Sequence, residues 1–274
     1  MTLRVFEAFS GVGSQRMALR NIGANFEVVA TSDWNFNSVL AYNAIHTENP
    51  KDFTINKTME EIESYLYKIN ISADGKEPLT LKQIQRYNDK KKKDIYNAFM
   101  NTNNLGSIVG INPEEVPDCD LFTYSYPCTS ISLSGSQKGM AKGSGTSSSM
   151  LWECQKIIEA KKPKYLLMEN VKNLVGKKFK PFFDEWLEYL EQQGYKSFWK
   201  VLNAKDYGTA QNRERTYCIS ILDCPDSVEY KFPEPIPLTK CLEDYLEKDV
   251  DEKYFLSDDK VEQLVYNMEH TNEK

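Results

Sequence analysis

Histidine is nearly absent from this chain of 274 residues, which holds only His46 and His270. Its six cysteines, Cys119, Cys128, Cys154, Cys218, Cys224 and Cys241, fall at irregular spacings with no C-x-x-C pair. Without clustered ligands of either type no metal site is expected, and reduced thiols are expected in place of a disulfide framework. The sequence also lacks any apolar run of about 18 residues, the length a membrane-spanning helix needs. Nor does a basic leader precede the apolar segment that starts at Leu3. Neither a membrane partner nor secretion is expected, and the cytoplasm is the default location. What is present, 41% hydrophobic and 12% aromatic residues, suffices for one large domain, or one and a half, around a real core.

The formal net charge of −6 is unevenly spread. Residues 223–274 carry 15 acidic and 6 basic side chains, whereas residues 1–222 carry 25 and 28. A mildly basic body therefore precedes an acidic tail. Lysine clusters at Lys90–Lys93, around Lys162 and around Lys178 are solvated helix ends or phosphate contacts.

Along the chain, apolar runs at 3–9, 26–30, 121–126, 165–168 and 217–222 alternate with helical patterns. This alternation predicts an α/β fold with a doubly wound, mostly parallel sheet, which binds ligands beyond the carboxyl ends of its strands. Residues 1–224 are expected to be the catalytic, cofactor-binding domain, with 54–117 a polar helical insertion too long for an ordinary connection. Residues 225–274 are expected to be a proline-rich linker and an acidic helical lead-in.

Four short stretches carry chemistry. Phe9-Ser10-Gly11-Val12-Gly13-Ser14 follows one strand and opens a helix, so its backbone N–H groups can approach a nucleoside-type ligand. Arg16 stands where a dinucleotide fingerprint has its third glycine, and no Gly-Lys-Ser/Thr follows. Asp33, twenty residues after Gly13, could take both ribose hydroxyls, and Trp34 offers a face for adenine. Pro127-Cys128 ends the next strand, where a thiol is either buried filler or a nucleophile. In Met168-Glu169-Asn170-Val171 a carboxyl group emerges from an apolar wall, a setting that raises its pKa and lets it donate a proton. Gln211, Arg213 and Arg215 would share one face of an extended strand leading to Tyr217. Each stretch alone also has an ordinary structural explanation.

Taken in order, F-x-G-x-G, P-C, E-N-V and Q-x-R-x-R, each at a strand end or edge, resemble the DNA (cytosine-5) methyltransferase family over roughly residues 3–222. The block 127–139, P-C-T-S-I-S-L-S-G-S-Q-K-G, also resembles that family's nucleophile loop. The overall texture is similar to prokaryotic or phage-encoded members that methylate CpG or similar short sites. The resemblance implies a Rossmann-like fold of the S-adenosylmethionine-dependent methyltransferase type. It implies S-adenosyl-L-methionine as cofactor, S-adenosyl-L-homocysteine as product, and double-stranded DNA with a flipped cytosine as substrate. Cys128 would add to carbon 6, because carbon 5 of cytosine is otherwise too weak a nucleophile to take a methyl group. Glu169 would act at N3, Asn170 would hold the loop, and Arg213 and Arg215 would meet the base carbonyl and a phosphate. The same resemblance assigns Phe9, Ser10, Gly11, Val12, Gly13, Ser14, Asp33, Trp34, Ser107, Ile108, Pro127 and Met150 to the cofactor.

There are departures from the family pattern. Thr129 replaces the usual Gln, Ser107 an acidic residue and Ser147 an Arg. No target-recognition region and no G-N-S-V segment follow within these residues, so the chain is expected to be a truncated enzyme, or one subunit of a split enzyme whose second chain recognises the target. Two other readings share these motifs: a tRNA cytosine-5 methyltransferase, and a noncatalytic interaction subunit that keeps the fold. An NAD-dependent dehydrogenase would leave Cys128, Glu169 and the arginines unexplained.

Overall fold

The computed structural model describes residues 1–127 and 150–270. Cys128, Thr129 and Ser147 therefore lie outside the described residues. A strand in the middle of a parallel sheet is covered on both faces and must be apolar almost throughout. β1 (Leu3–Ala8) meets that demand over its last four residues, all buried and all apolar but Glu7, with Arg4 only part-buried near its start. β2 (Phe26–Ser32), β3 (Leu121–Tyr124) and β4 (Tyr165–Val171) follow the expected runs. β5 (Tyr195–Asn203) and β6 (Glu214–Leu222) close the sheet.

Among the described residues the strand order is β2-β1-β3-β4-β6-β5. β1 pairs in parallel with β2 and β3, β3 in parallel with β4, and β6 runs antiparallel to both β4 and β5. The chain thus winds outward from β1 to β2, then crosses to β3 on the other side. The strand order reverses between the carboxyl ends of β1 and β3, where such sheets leave a crevice. Pairing with β6 carries β4 further than the apolar run suggests. Glu169, Asn170 and Val171 are opposite Tyr217, Thr216 and Arg215, inside the strand instead of beyond its end.

Two cores hold these elements. Phe6, Phe122 and Tyr124 stack along one face of the sheet, and Trp186 meets Tyr124 edge-on while its indole N–H donates to the Tyr124 hydroxyl at 3.2 Å. Trp186 belongs to α7 (Lys180–Gln192), which with α6 (Leu151–Lys161) covers that face. The second core joins Phe36 and Val39 of α2 (Phe36–His46) to Ile62, Leu66, Ile71 and Phe99 of the insertion. Within the insertion, α3 (Met59–Lys68) and α4 (Leu81–Gln85) each begin with a capping box, Thr58 with Glu61 and Thr80 with Gln83. These reciprocal hydrogen bonds satisfy N–H groups that a helix start leaves unpaired. α5 (Asp89–Asn101) completes the insertion's helices, with Asn88 capping the Lys91 N–H.

The chain divides into two compact units, residues 1–203 with 213–234, and residues 204–212 with 235–274. The first holds the sheet. In the second, Ile236 donates to the Asp206 carbonyl at 2.8 Å, and α8 (Asp258–Glu269) exposes Val261, Leu264, Val265 and Met268.

Candidate active site

The turn between β1 and α1 (Ser14–Asn21) is built from left-handed backbone: φ is +55° at Phe9, +54° at Gly11 and +81° at Gly13. At Gly13 the requirement is also steric. A Cβ there would sit 2.3 Å from Nε2 of His46 and 2.7 Å from the Tyr42 ring. His46 lies within hydrogen-bond distance of the Val12 carbonyl at 3.0 Å. That oxygen can only accept, so Nε2 carries the proton. Burial holds the His46 pKa below its ordinary value. Arg16 donates to the His46 carbonyl at 3.1 Å and to the Tyr42 hydroxyl at 3.3 Å, and Tyr42 donates in turn to Glu7. Glu7 is fully buried, and burial pushes its carboxyl up, against the pull of the Tyr42 hydrogen bond. Sequence reasoning missed this network. The signal was a carboxylate inside an apolar strand, which demands a buried partner.

Asp33 follows β2 and ties it to the turn. One carboxylate oxygen accepts from the Gly11 N–H and the other from the Asn35 N–H, each at 2.8 Å. Burial raises its pKa while these backbone N–H groups lower it. Phe9, Asp33, Trp34, Ser107, Ile108, Pro127 and Met150 line one cavity of about 230 Å³. Seven of the expected cofactor residues thus meet at one hollow. Ser10 is buried beside it, its N–H on the Ser32 carbonyl at 3.2 Å, and Gly11 is joined through Asp33. Val12 and Gly13 shape the turn against His46. Ser14 lines a different groove. Asn35, Ser38 and Gly75 line the cavity without having been singled out in the sequence.

Glu169 pairs with Arg215 at 3.1 Å, so the carboxylate expected to stand against an apolar wall has a guanidinium beside it. Asn170 is buried; its side-chain amide donates to the Tyr126 carbonyl at 3.1 Å and its side-chain oxygen accepts from the Val171 N–H. The strand bearing Glu169 is thereby fastened to the segment two residues before Cys128. Cys128 itself lies outside the described residues. Arg213 precedes β6, with its N–H on the Asn203 side chain at 3.0 Å. The expected single extended face of Gln211, Arg213 and Arg215 is not formed, because regular strand begins only at Glu214. Arg213 and Glu169 instead line a second groove of about 510 Å³, together with Ser14, Gln15, Thr123 and Tyr217.

A doubly wound sheet with one reversed strand and a nucleoside-sized crevice at its switch point defines an α/β methyltransferase fold. The structure is similar to that of S. pombe Dnmt2 methyltransferase at 18% identity, with a TM-score of 0.57, covering 97% of this chain and 67% of that one. The family model of C-5 cytosine-specific DNA methylases matches residues 82–274. The type II methyltransferase M2.ScrFI of Lactococcus lactis subsp. cremoris is 47% identical over 265 residues, 94% of this chain and 71% of that relative. The orphan methyltransferase M.SssI of Spiroplasma monobiae is 37% identical over 264 residues, 93% of this chain and 67% of its own. The chain belongs to the C-5 cytosine-specific DNA methylase family. It is accordingly a methyltransferase by class, and DNA is the substrate of that class. Among the described residues no His, Cys, Asp and Glu cluster could hold a metal, and no helix is long and apolar enough to cross a membrane.

Proposed function

We propose that this chain moves the methyl group of S-adenosyl-L-methionine to carbon 5 of a flipped cytosine in double-stranded DNA, through a covalent adduct on Cys128. The observation that carries this reading is the fastening of the strand that bears Glu169 to the segment that lines the nucleoside-sized cavity. Asn170 donates to the Tyr126 carbonyl, Tyr126 precedes Pro127, and Pro127 lines the same cavity as Asp33 and Trp34, while Glu169 beside Asn170 pairs with Arg215. The residues fit a nucleoside donor: a half-buried carboxylate with lone pairs to spare beyond two backbone N–H groups is a receptor for vicinal hydroxyls, and an indole suits adenine.

When bound, the sulfonium supplies an electrophilic methyl group and leaves as the thioether S-adenosyl-L-homocysteine. Asp33 would hold the ribose and Trp34, Ser107 and Ile108 the adenine. The Cys128 thiolate would add to carbon 6, placing electron density on carbon 5. Glu169 would hold a proton at N3 as that density develops, and Arg215, already paired with Glu169, would steady the carboxylate and the base carbonyl. Loss of the carbon 5 proton then expels the thiolate and restores the ring. We further propose that target recognition comes from protein outside these 274 residues, in the same polypeptide or in a second chain. The lengths of M2.ScrFI and M.SssI, of which this chain spans 71% and 67%, support that division.

The test is transfer of labelled methyl groups to duplex DNA and to tRNA by the chain with its recognition portion supplied, with the product base identified by mass spectrometry. Label in 5-methylcytosine of DNA is expected. Label in tRNA alone would select the tRNA alternative, and label in neither, with S-adenosyl-L-homocysteine still bound, would favour a noncatalytic subunit.

A further inference from the structure

The insertion between β2 and β3 grips both sides of the nucleoside cavity. On one side Ser72, fully buried, runs parallel to Asn35: its N–H donates to the Trp34 carbonyl at 2.7 Å and its carbonyl accepts from the Phe36 N–H at 3.0 Å. On the other, the Ile69 carbonyl accepts from the Ser107 N–H at 3.3 Å. Gly106 packs so closely there that a Cβ would lie 2.4 Å from that same carbonyl oxygen. Ile69 and Ser72, three residues apart, therefore fix the backbone of the Trp34 segment relative to that of the Ser107–Ile108 segment.

Between them and the helix α4 the chain folds back in a tight turn. The Ser72 hydroxyl donates to the Glu77 carbonyl at 2.6 Å and accepts from the Gly75 N–H at 2.9 Å. Asp74 accepts from the Lys76 N–H at 2.9 Å, and the Asn37 side chain donates to the Ala73 carbonyl at 2.9 Å. This turn presents Gly75 to the cavity, where it lines the wall beside Asp33, Trp34 and Asn35. Gly75 has φ +73°, and a Cβ there would point toward the Asn35 amide at 3.6 Å. Ile71, next to Ser72, is buried against Phe36 and Val39 of α2, so the turn is anchored in the insertion's own core.

We propose that residues 69–77 form a third wall of the adenosine site. Gly75 presents bare backbone to the nucleoside of the methyl donor, and Ile69 and Ser72 are positioning residues that set the gap between Trp34 and Ile108. The inference rests on the nucleoside-donor reading of this cavity and adds to it a part of the chain that the family motifs do not cover.

The experiment is calorimetric titration of the full chain with S-adenosyl-L-homocysteine, alongside thermal unfolding of each variant. Gly75→Asn keeps a residue that tolerates left-handed backbone and adds a side chain at the wall, so affinity is expected to fall about tenfold with an unchanged midpoint. Ser72→Ala removes the hydroxyl that Glu77, Gly75 and Asp74 share in the turn and is expected to weaken binding about fivefold. Ser72→Ala should also reduce the quenching of Trp34 fluorescence at saturating ligand, the signal being defined by its loss in Trp34→Phe. A purely structural serine would lower the midpoint and leave that saturated signal as in the parent. Lys82→Ala, at an exposed position of α4 outside this segment, should bind normally. Failure of the parent chain to bind would remove the nucleoside-donor reading. Normal binding by Gly75→Asn and Ser72→Ala, with binding by Asp33→Ala impaired, would overturn the third wall and leave that reading standing.

Discussion

Asp33 shows how one side chain can serve fold and ligand together, since it accepts the Gly11 and Asn35 N–H groups and faces the cavity as well. Asp33→Ala removes charge-assisted hydrogen bonds worth ~1.5–3 kcal/mol each, so S-adenosyl-L-homocysteine should bind at least about tenfold more weakly in calorimetry. Unchanged affinity would take Asp33 out of the site. Glu169→Gln should leave that affinity intact and slow methyl transfer by roughly 10²–10⁴-fold, the range a positioned acid or base contributes. An unaltered single-turnover rate would end its proposed role. His46 makes a prediction about pH. Its folded-state pKa lies below its ordinary value of about 6.5, so the neutral ring favours the fold above that value, and the contribution is lost as pH falls toward the folded pKa. Thermal midpoints of the parent should drop over that acid window more steeply than those of His46→Gln, and parallel curves would contradict the assignment. Asp33 and Trp34 were legible in the sequence because their signal is local, a polar end to an apolar run. Glu7, Tyr42 and His46 were not, because their meaning arises only when residues more than thirty apart are folded together.

The elements obey the same distinction. β1, β2, β3 and β4 announce themselves as apolar runs, since strands covered on both faces have little freedom of composition. β5 did not, because Trp199 and Lys200 are exposed and no run of apolar residues marks it, whereas β2, at the opposite edge, keeps the apolar run 26–30. The arginine stretch was misjudged for a related reason: regular pairing begins at Glu214, and nothing in alternating charges reveals where a ladder starts. The glycine turn was legible as a turn, yet its tightest requirement comes from α2. Gly13→Ala places a methyl group against His46 and forces left-handed backbone on an L-residue, costing about 1–2 kcal/mol for the backbone alone. Both the thermal midpoint and the affinity for S-adenosyl-L-homocysteine should fall. Retention of both would mean that α2 does not brace the turn.

For the whole molecule, the proposed division of labour places chemistry in residues 1–224 and target choice outside the chain. The 274-residue chain alone should bind S-adenosyl-L-homocysteine yet show no preference among duplexes of different sequence, and adding the recognition portion should create one. Sequence-selective methylation by the chain alone would refute that division. The central claim is that the thiol, the carboxylate and the guanidinium groups act on one cytosine. Its most direct test uses the chain with its recognition portion supplied, S-adenosyl-L-methionine, and a duplex carrying 5-fluorocytosine at the target. Because fluorine cannot leave as the carbon 5 proton does, the account predicts a stable protein–DNA adduct whose peptide mass maps to Cys128. Absence of an adduct from a methylating preparation, or an adduct that persists in Cys128→Ser, would contradict it.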